Sequence, residues 1–333
     1  MEFKPQAIYY EKAIENYELG KQLMEKYKDV PKVEIASHNA IEEMRKKENK
    51  EFVNMKRNLI IGVRKTHKFV ENHKVSDYLV PYTSSGCIAM CMYCYLVCNF
   101  NKCSYMRLFV NREQMLDKIK KVANKNEKDL VFEIGSNSDL ILENTITNNL
   151  VWTIENFASN HKGLLTFPTK FSMVDPILPL NHNGKIIFRM SVNPQEIIRE
   201  IEIGTSPLKN RVEAINKVKE AGYKVGILIA PVILVDNWKE LYRELIEYLY
   251  ENLTEKVKKD EFFEIIFMTY SYVHRMINKE AFPNKTELYN KEIMTVRGRG
   301  RYMYKKEEKQ QAEKYIRELL KKNFSQNEIL YIV

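Results

Sequence analysis

The sequence predicts an α/β protein built on an open, partial (β/α)6 barrel. From Tyr78 onward, short apolar segments alternate with amphipathic segments, which is the pattern of βα units around a parallel sheet. Six such segments are recognisable, fewer than the eight strands of a closed barrel of this kind. All five cysteines lie between Cys87 and Cys103, directly after the first segment, where an open α/β sheet places its functional residues.

Composition limits the class of protein. The 333 residues, 44% of them hydrophobic and 29% charged, are enough for a full core in one large domain or two. No apolar run approaches the ~20 residues of a membrane span, and the segment Met1–Pro5 lacks the apolar core of a signal peptide. We therefore expect a cytoplasmic protein with no membrane partner. Thiols stay reduced in the cytoplasm, so clustered cysteines there indicate a metal site rather than disulfides.

The chain carries a net charge of +9 and has a pI of about 9.0. A basic surplus of this size is compatible with a polyanionic partner. Nucleotide bias in a genome also produces a composition rich in lysine and tyrosine, so the position of the charge matters more than its total.

We predict two parts, an N-terminal α/β region over residues 1–76 and a barrel over residues 77–333. The first part begins with a short strand and a helix over 13–27, and it ends with an apolar strand from Asn58. The mixture of lysine and glutamate at 42–56 is typical of a solvated helix or loop.

The predicted barrel strands are the six apolar segments, at residues 78–82, 130–134, 164–167, 186–191, 225–230 and 262–268. The segments between them show helical periodicity. Ahead of the fifth strand, Val212, Ile215 and Val218 recur on one face of a helix, and Gly222 is placed to end that helix in a left-handed conformation. Such apolar stripes belong to the core.

A basic segment follows the sixth strand, and a final amphipathic helix containing Ala312 comes after it. Arg297, Arg299 and Arg301 alternate with glycines and are followed by Tyr302. Three guanidinium groups on one side of an extended segment suit phosphates, and a hairpin bent at glycine could fill the gap left by an extruded base. A solvated basic loop is the alternative.

The cysteine motif is Cys87-x3-Cys91-x2-Cys94. A tetrahedral zinc site needs four ligands, usually as two separated pairs, and the sequence supplies no second pair. Three thiolates instead suit a [4Fe–4S] cluster that leaves its fourth iron open to another ligand. Cys98 as a fourth ligand would close the cluster and make an electron carrier instead of an enzyme.

The spacing CxxxCxxC resembles that of the radical SAM enzymes. The resemblance implies that the open iron binds the amino and carboxylate groups of S-adenosylmethionine. An electron from the reduced cluster then breaks the sulfonium bond and gives a 5′-deoxyadenosyl radical. The protein positions these cofactors and excludes water.

The wider window from Val80 to Leu96 resembles the cluster loop of the spore photoproduct lyases, which opens with Ser/Thr-Gly-Cys and closes with Cys-x-Tyr-Cys-Tyr-Leu. Further segments occur in the order found in that family: 37–39, 62–66, 132–133, 138–139, 169–170, 182–185, 188–193, 204–207, 221–223, 230–231 and 238–239. The resemblance covers nearly the whole chain.

Membership of this family implies DNA repair. The lesion is the methylene-bridged thymine dimer 5-thyminyl-5,6-dihydrothymine, and the deoxyadenosyl radical takes a hydrogen atom from its C6. The bridge then fragments, and the product radical must regain a hydrogen atom. The implied partners are UV-damaged DNA and an electron donor such as flavodoxin or ferredoxin. A thiol is the expected hydrogen donor, because an S–H bond is weaker than most C–H or aliphatic O–H bonds.

The sequence departs from the common family pattern at the donor. Ser136 stands where many members have a cysteine, and its O–H bond is too strong to replace a thiol. We expect Cys98 to be the donor, with Cys103 as the second candidate; either could instead be an ordinary thiol. By the resemblance, Tyr95 relays the hydrogen atom and Tyr93 packs against the cofactor adenine. Both tyrosines could also be core aromatics.

The resemblance also implies cofactor contacts. Lys170 and Ser191 match positions that hold the carboxylate of S-adenosylmethionine, and Ala230 matches one that offers a backbone carbonyl. Ser138, with Asp139, matches a pair near cofactor and lesion. Two alternatives stay open: a radical SAM enzyme acting on a different nucleic-acid or small-molecule substrate, and an iron–sulfur DNA-binding or electron-transfer protein without lyase activity.

Overall fold

The computed structural model describes residues 3–39, 41–99, 105–160 and 162–333. In these residues, no helix is long and apolar enough to cross a membrane. The strands, numbered along the chain, are β1 (Ala7–Tyr10), β2 (Lys32–Glu34), β3 (Asn58–Gly62), β4 (Val70–Glu71), β5 (Tyr78–Leu79), β6 (Ser84–Ser85), β7 (Met106–Phe109), β8 (Val131–Glu133), β9 (Leu164–Thr169), β10 (Ile186–Val192), β11 (Lys224–Val232), β12 (Phe262–Phe267), β13 (Tyr270–Ser271), β14 (Met294–Val296), β15 (Arg301–Tyr304) and β16 (Glu328–Ile332).

The α-helices, numbered in the same way, are α1 (Glu18–Lys26), α2 (Glu42–Arg45), α3 (Phe52–Met55), α4 (Leu96–Asn99), α5 (Arg112–Lys125), α6 (Leu140–Thr147), α7 (Asn149–Ala158), α8 (Gln195–Glu200), α9 (Leu208–Glu220), α10 (Trp238–Asn252), α11 (Glu255–Asp260), α12 (Tyr272–Ala281) and α13 (Lys306–Asn323). Short 3-10 helices cover Lys12–Asn16, Asn49–Glu51 and Asp175–Ile177.

The largest sheet has the strand order β16-β12-β11-β10-β9-β8-β5-β4. From β5 to β12, neighbouring strands pair in parallel, and β16 adds a further parallel strand beyond β12. Each of the six strands predicted from the sequence has a counterpart here, although β5 is shorter than the predicted 78–82. The mixed α/β class is confirmed, and the carboxyl ends of six parallel strands lie along one edge.

The helices of the barrel bury the apolar faces predicted for them. On α9, Val212, Ile215 and Val218 are buried, and Gly222 follows with φ = 90°, the left-handed conformation expected at the end of this helix. On α13, Ala312 is fully buried. Burial of these apolar side chains away from water is the main favourable contribution to the free energy of packing the helices on the sheet.

The charged stretch at 42–56 is more buried than a solvated helix or loop. It forms α2, a 3-10 turn and α3, and the side chains of Met44, Phe52 and Met55 are buried in a second apolar cluster. The sequence did not predict this burial, because the three apolar residues are widely spaced among lysines and glutamates and form no obvious helical stripe.

The second sheet has the order β2-β1-β3-β7-β6. Strands β1, β2, β3 and β7 run parallel, and β6 pairs with β7 in the antiparallel sense. Strands β6 and β7 flank the cysteine segment, so its two ends are tied to the N-terminal strands. The division between residues 76 and 77 stays a prediction, and the sheet is shared by strands from both sides of it.

The third sheet has the order β13-β15-β14, in which β14 and β15 form an antiparallel hairpin. The structure thus has a hairpin bent at glycine, as the sequence suggested. The placement of Arg297, Arg299 and Arg301 on one side of an extended segment is wrong, because the chain reverses between Arg297 and Arg301. Gly298, Arg299 and Gly300 have φ values of 74°, 49° and 68°, and the two glycines accept such values without strain. All three arginines are exposed, around the tip of the hairpin.

Candidate active site

A cavity of about 320 Å³ lies at the carboxyl ends of the parallel strands. The three cysteines of the motif line it, together with the predicted cofactor residues Ser138, Lys170, Ser191 and Ala230. Tyr93 and Tyr95 line it as well. The structure therefore brings together residues from the cysteine loop and from four different strand ends.

The backbone of the cysteine loop is held from several directions. The amides of Met90 and Met92 donate to the carbonyls of Ile203 and Ile201, at 2.8 and 3.0 Å. Three side chains from other elements donate to backbone carbonyls of the loop: Lys56 Nζ to Cys87 at 2.6 Å, Asn278 Nδ2 to Met92 at 2.8 Å, and His274 Nε2 to Cys94 at 3.0 Å. This support fixes the loop over the cavity.

The three thiols form a donor set that fits an iron–sulfur cluster. Burial raises the pKa of Cys87 to about 12, against a lowering effect of the Lys56 ammonium. Burial also raises the pKa of Cys91, and the Glu202 carboxylate adds to that rise. Thiolates are the ligands of such clusters, so three neighbouring thiols facing one cavity suit three of the four irons. Because the thiols must lose their protons to bind metal, cluster loading should be favoured at higher pH.

Lys170 joins the other predicted cofactor residues in one hydrogen-bonded group. Its Nζ donates to Ser191 Oγ at 2.6 Å, to Glu202 Oε1 at 2.8 Å and to the carbonyl of Ala230 at 2.7 Å. Ser191 Oγ also donates to the Ala230 carbonyl, at 2.7 Å. Lys170 and Ser191, which the resemblance assigned to the cofactor carboxylate, are thus in contact with each other and with the Ala230 carbonyl assigned to the same cofactor.

Glu202 is a buried acid bonded to the predicted cofactor residue Lys170, and the sequence analysis missed it. Its side chain is fully buried and accepts hydrogen bonds from Lys170, from Arg211 Nη2 at 2.7 Å and from Asn193 Nδ2 at 2.9 Å. Burial would raise the pKa of Glu202, but the charges of Lys170 and Arg211 bring it down to about 2. One signal could have revealed it: a lone acid within the apolar run Ile201–Ile203.

The two tyrosines of the loop have different partners. The phenol of Tyr93 donates to Glu202, and the Lys170 ammonium lies 5.6 Å from the centre of its ring. The phenol of Tyr95 donates to the backbone carbonyl of Ser136, and its side chain is about half exposed. Cys98 lies in α4, directly after the motif, but its side chain and Cys103 are outside the described residues.

Glu143 is a second acid that the sequence analysis missed, and it is connected to Ser138 through Ser84. Ser84 Oγ donates to Glu143 Oε2 at 2.5 Å and lies 2.6 Å from Ser138 Oγ. Because the proton of Ser84 is directed at Glu143, Ser138 is the donor to Ser84 and its own lone pairs stay available. Glu143 is buried and also accepts from Thr83 and Asn149, at 2.9 and 2.6 Å.

Asp139 has a structural role at the start of α6. Its Oδ1 accepts from the amide of Leu142 at 3.1 Å, which caps the helix. It also accepts from Thr169 Oγ1 at 2.8 Å and from the amide of Lys170 at 2.9 Å. These contacts tie α6 to the end of β9 and set the position from which Lys170 enters the cavity.

A buried ion triad connects three strands within the large sheet. The guanidinium of Arg189 on β10 donates to Glu133 on β8 at 2.7 Å and makes two bonds to Glu264 on β12, both of 2.7 Å. Tyr331 on β16 also donates to Glu264. The triad holds the strands in a fixed relation, so the residues at their carboxyl ends converge on one cavity.

The basic hairpin adjoins this cavity. Met268 and Thr269 line the cavity, and β13 begins at the next residue, Tyr270, which pairs with Tyr302 in β15. The side chain of Tyr302 is partly buried, and its ring centre lies 4.3 Å from that of Tyr289. The end of the hairpin that carries the turn and the exposed arginines therefore pairs with β13, which follows the cavity residues directly in the chain.

Comparisons with known proteins agree on one family. The family model described as spore photoproduct lyase matches residues 3–333. Spore photoproduct lyase of Bacillus subtilis (strain 168) is 35% identical, with 92% of both chains covered. The same enzyme of Geobacillus sp. (strain Y412MC61) is 31% identical, with 99% of this chain and 98% of the relative covered.

Two solved structures cover 100% of this chain and of their own chains, each at 30% identity and a TM-score of 0.92. One is a spore photoproduct lyase complexed with dinucleoside spore photoproduct. The other is a mutant of that lyase with bound AdoMet and dinucleoside spore photoproduct.

Proposed function

Because this chain belongs to the spore photoproduct lyase family, we propose that it is a DNA repair lyase that converts 5-thyminyl-5,6-dihydrothymine back to two thymines. The observation that carries this proposal is the cavity that the cysteine loop shares with Lys170, Ser191 and Ala230. The fold around it matches a lyase structure that holds AdoMet and the dinucleoside lesion together.

For the cofactor, Cys87, Cys91 and Cys94 would hold a [4Fe–4S] cluster at the mouth of a partial (β/α)6 barrel of the radical SAM type. When bound, the cluster and S-adenosylmethionine supply the 5′-deoxyadenosyl radical that takes a hydrogen atom from the lesion. The protein itself binds the cluster and S-adenosylmethionine, orients them and excludes water from around them.

Lys170 and Ser191 would bind the carboxylate of S-adenosylmethionine. A lysine has three N–H donors, and those of Lys170 are directed at Ser191, Glu202 and Ala230. A carboxylate therefore gains this ammonium by replacing one of these acceptors. The Ala230 carbonyl is the acceptor best suited to leave, because it can then accept from the amino group of the cofactor. Tyr93 would lie against the adenine.

The hydrogen atom would return from a thiol elsewhere in the chain, because residue 136 is a serine. Cys98 is the first choice and Cys103 the second, with Tyr95 as the relay. The contact of Tyr95 with the carbonyl of Ser136 supports a relay role, because it holds the phenol at the cavity wall.

Arg297, Arg299 and Arg301 would bind DNA, through its phosphates, with Tyr302 next to them in the pair that adjoins the turn of the same hairpin. A lesion in duplex DNA must be extruded to reach the cavity, at a cost of a few kcal/mol that poor stacking of the damaged bases lowers.

We propose further that a flavodoxin or ferredoxin supplies the electron and that the protein acts in the cytoplasm. We also propose that residues 1–76 form a region packed on the barrel of residues 77–333.

The test is anaerobic incubation of the iron-loaded protein with AdoMet, a reductant and dinucleotide spore photoproduct. Thymine dinucleotide should form, and a Cys91→Ala variant prepared in the same way should form none. Ser136 favours one alternative, a relative on the same scaffold with another substrate. Cleavage of AdoMet without repair of the dinucleotide, in repeated trials, would support that alternative and contradict lyase activity.

A further inference from the structure

Lys56 is a buried lysine directly beneath the cysteine loop. Its residue exposure is 3%, and its Nζ donates to the carbonyl of Cys87 at 2.6 Å. Burial lowers the pKa of Lys56, and the nearby Cys94, Cys87 and Cys91 oppose that lowering. The hydrogen bond to Cys87 thus places the lysine head group beside the predicted cluster ligands.

The surrounding chain fixes Lys56 in this place. The residue immediately follows α3, whose Phe52 and Met55 are buried in the second apolar cluster together with Ile277 of α12. The ammonium also lies 5.4 Å from the centre of the Phe52 ring. Because α3 is packed against α12, the Lys56 side chain is directed at the cysteine loop and away from solvent.

Lys56 and Lys170 approach the cysteine loop for different purposes. Lys170 is bonded to Glu202 at 2.8 Å and belongs to the group that would bind the cofactor carboxylate. Lys56 bonds the Cys87 carbonyl, and Lys56, unlike Lys170, is absent from the lining of the cavity. Lys56 therefore adds positive charge behind the ligands without occupying space needed by a substrate.

A charge in this position has a defined effect on electron transfer. A cluster held by three thiolates becomes more negative when it gains an electron, and a nearby buried cation stabilises that reduced state. Electrostatic interactions in the interior are weakly screened, so the effect is larger than that of a surface charge. Net charge and hydrogen bonds near the sulfurs are established determinants of cluster reduction potential.

We propose that Lys56 is a positioning residue that raises the reduction potential of the cluster, so that a cellular electron donor can reduce it. The inference rests on the proposed function, because it requires the cluster at Cys87, Cys91 and Cys94. It adds a part of the chain outside the barrel, α3 and the residue after it, to the machinery that starts the reaction.

The test is a redox titration of the iron-loaded protein, followed by the electron paramagnetic resonance signal of the reduced cluster. Lys56→Met removes charge and hydrogen bond, Lys56→Gln removes the charge but keeps a donor, and Lys56→Arg keeps both. Lys50→Met, which removes an exposed lysine paired with Glu48, is the matched control. Iron content reports whether each variant is loaded.

We expect Lys56→Gln and Lys56→Met to reduce the ratio of reduced to oxidised cluster about tenfold at a fixed solution potential, equivalent to about 59 mV for one electron. Lys56→Arg and Lys50→Met should titrate like the unchanged protein. If Lys56→Met binds too little iron to be titrated, the reduction potentials of Lys56→Gln and Lys56→Arg are compared instead. Equal potentials for Gln and Arg would overturn the proposal. An unchanged chain that assembles no four-iron cluster would instead overturn the proposed function, and this inference with it.

Discussion

The phenol of Tyr95 donates a hydrogen bond to the backbone carbonyl of Ser136. One residue belongs to the cysteine loop and the other to the segment that follows β8. The resemblance aligns Ser136 with the donor cysteine of many family members, and the contact places Tyr95 beside that position. Under the proposed function, Tyr95 is the relay residue and the thiol comes from another part of the sequence.

Replacing Cys98 with Ala should divert the product radical from thymine dinucleotide to side products, because the proposed donor thiol is lost. Chromatography of the products from dinucleotide spore photoproduct measures the change. The matched variant Cys103→Ala should give the normal product. If the two variants behave in the opposite way, Cys103 is the donor and our choice of thiol is wrong.

A thiol placed at residue 136 should restore the normal product in the Cys98→Ala background. The physical reason is the contact of Tyr95 with Ser136, which keeps the relay phenol within reach of this position. The double variant Cys98→Ala, Ser136→Cys is compared with Cys98→Ala alone in the same product assay. Side products at equal yield in both would show that residue 136 cannot deliver a hydrogen atom in this chain.

Replacing Glu202 with Gln should weaken AdoMet binding about tenfold or more and lower thermal stability. Lys170 and Arg211 would lose a buried charged partner, and breaking such a pair costs about 3–5 kcal/mol. Calorimetric titration with AdoMet and thermal unfolding measure the two effects. The control is Glu244→Gln at an exposed position of α10, which should change neither.

The same residue should make stability depend on pH. The pKa of Glu202 is about 2 in the folded protein and has an ordinary value of 4.5. The unfolded chain therefore takes up the proton first as pH falls, so the stabilisation is complete above pH 4.5 and is lost between 4.5 and 2. It amounts to about 3 kcal/mol. Glu202→Gln should lose less stability than the unchanged protein between pH 6 and 3; an equal loss would contradict this.

Replacing Arg299 with Ala should weaken DNA binding similarly for all sequences. If the arginine neutralises one phosphate, the slope of log K against log salt should become shallower by about one. Fluorescence anisotropy at several salt concentrations measures the slope. Lys209→Ala, an exposed lysine on α9, should leave it unchanged. An unaltered slope for Arg299→Ala would exclude a phosphate contact there.

Replacing Arg189 with Met should destabilise the protein by about 3–5 kcal/mol, because Glu133 and Glu264 would be left buried and unpaired. Chemical denaturation measures the loss. The exposed variant Arg199→Met should stay within about 0.5 kcal/mol of the parent. Adding Glu264→Gln to Arg189→Met should recover part of the loss; if it does not, the penalty does not come from the unpaired acids.

The sequence predicted the elements whose signals are local. The six barrel strands and the stripe of α9 follow from apolar periodicity, and the cysteine spacing indicated where the site lies. Lys170 and Ser191 came from resemblance, because a single polar residue at a strand end is not distinctive by itself.

Glu202, Glu143 and Lys56 could not be predicted in the same way. Their role comes from partners that are distant in the sequence: Glu202 meets Lys170, Glu143 meets Ser84, and Lys56 meets Cys87. A single charged residue, whether between apolar residues like Glu202 or in a charged stretch like Lys56, does not reveal its partner until the fold brings the two together. The sequence suggested a hairpin bent at glycine but also placed the three arginines on one side of an extended segment, because alternating Arg and Gly suits both an extended strand and a tight reversal.

The pairing of β6 with β7 has a consequence for how this enzyme can vary. Ser84 is opposite Leu108 and Ser85 is opposite Arg107, so the segment with all five cysteines leaves and re-enters the sheet at one place. When the two ends of a loop lie side by side, a change in its length costs little chain entropy. Because the part from Cys87 to Cys94 is held by hydrogen bonds, we expect changes of length to be tolerated after Cys94, where Cys98 and Cys103 occur, while the strands on either side keep their register.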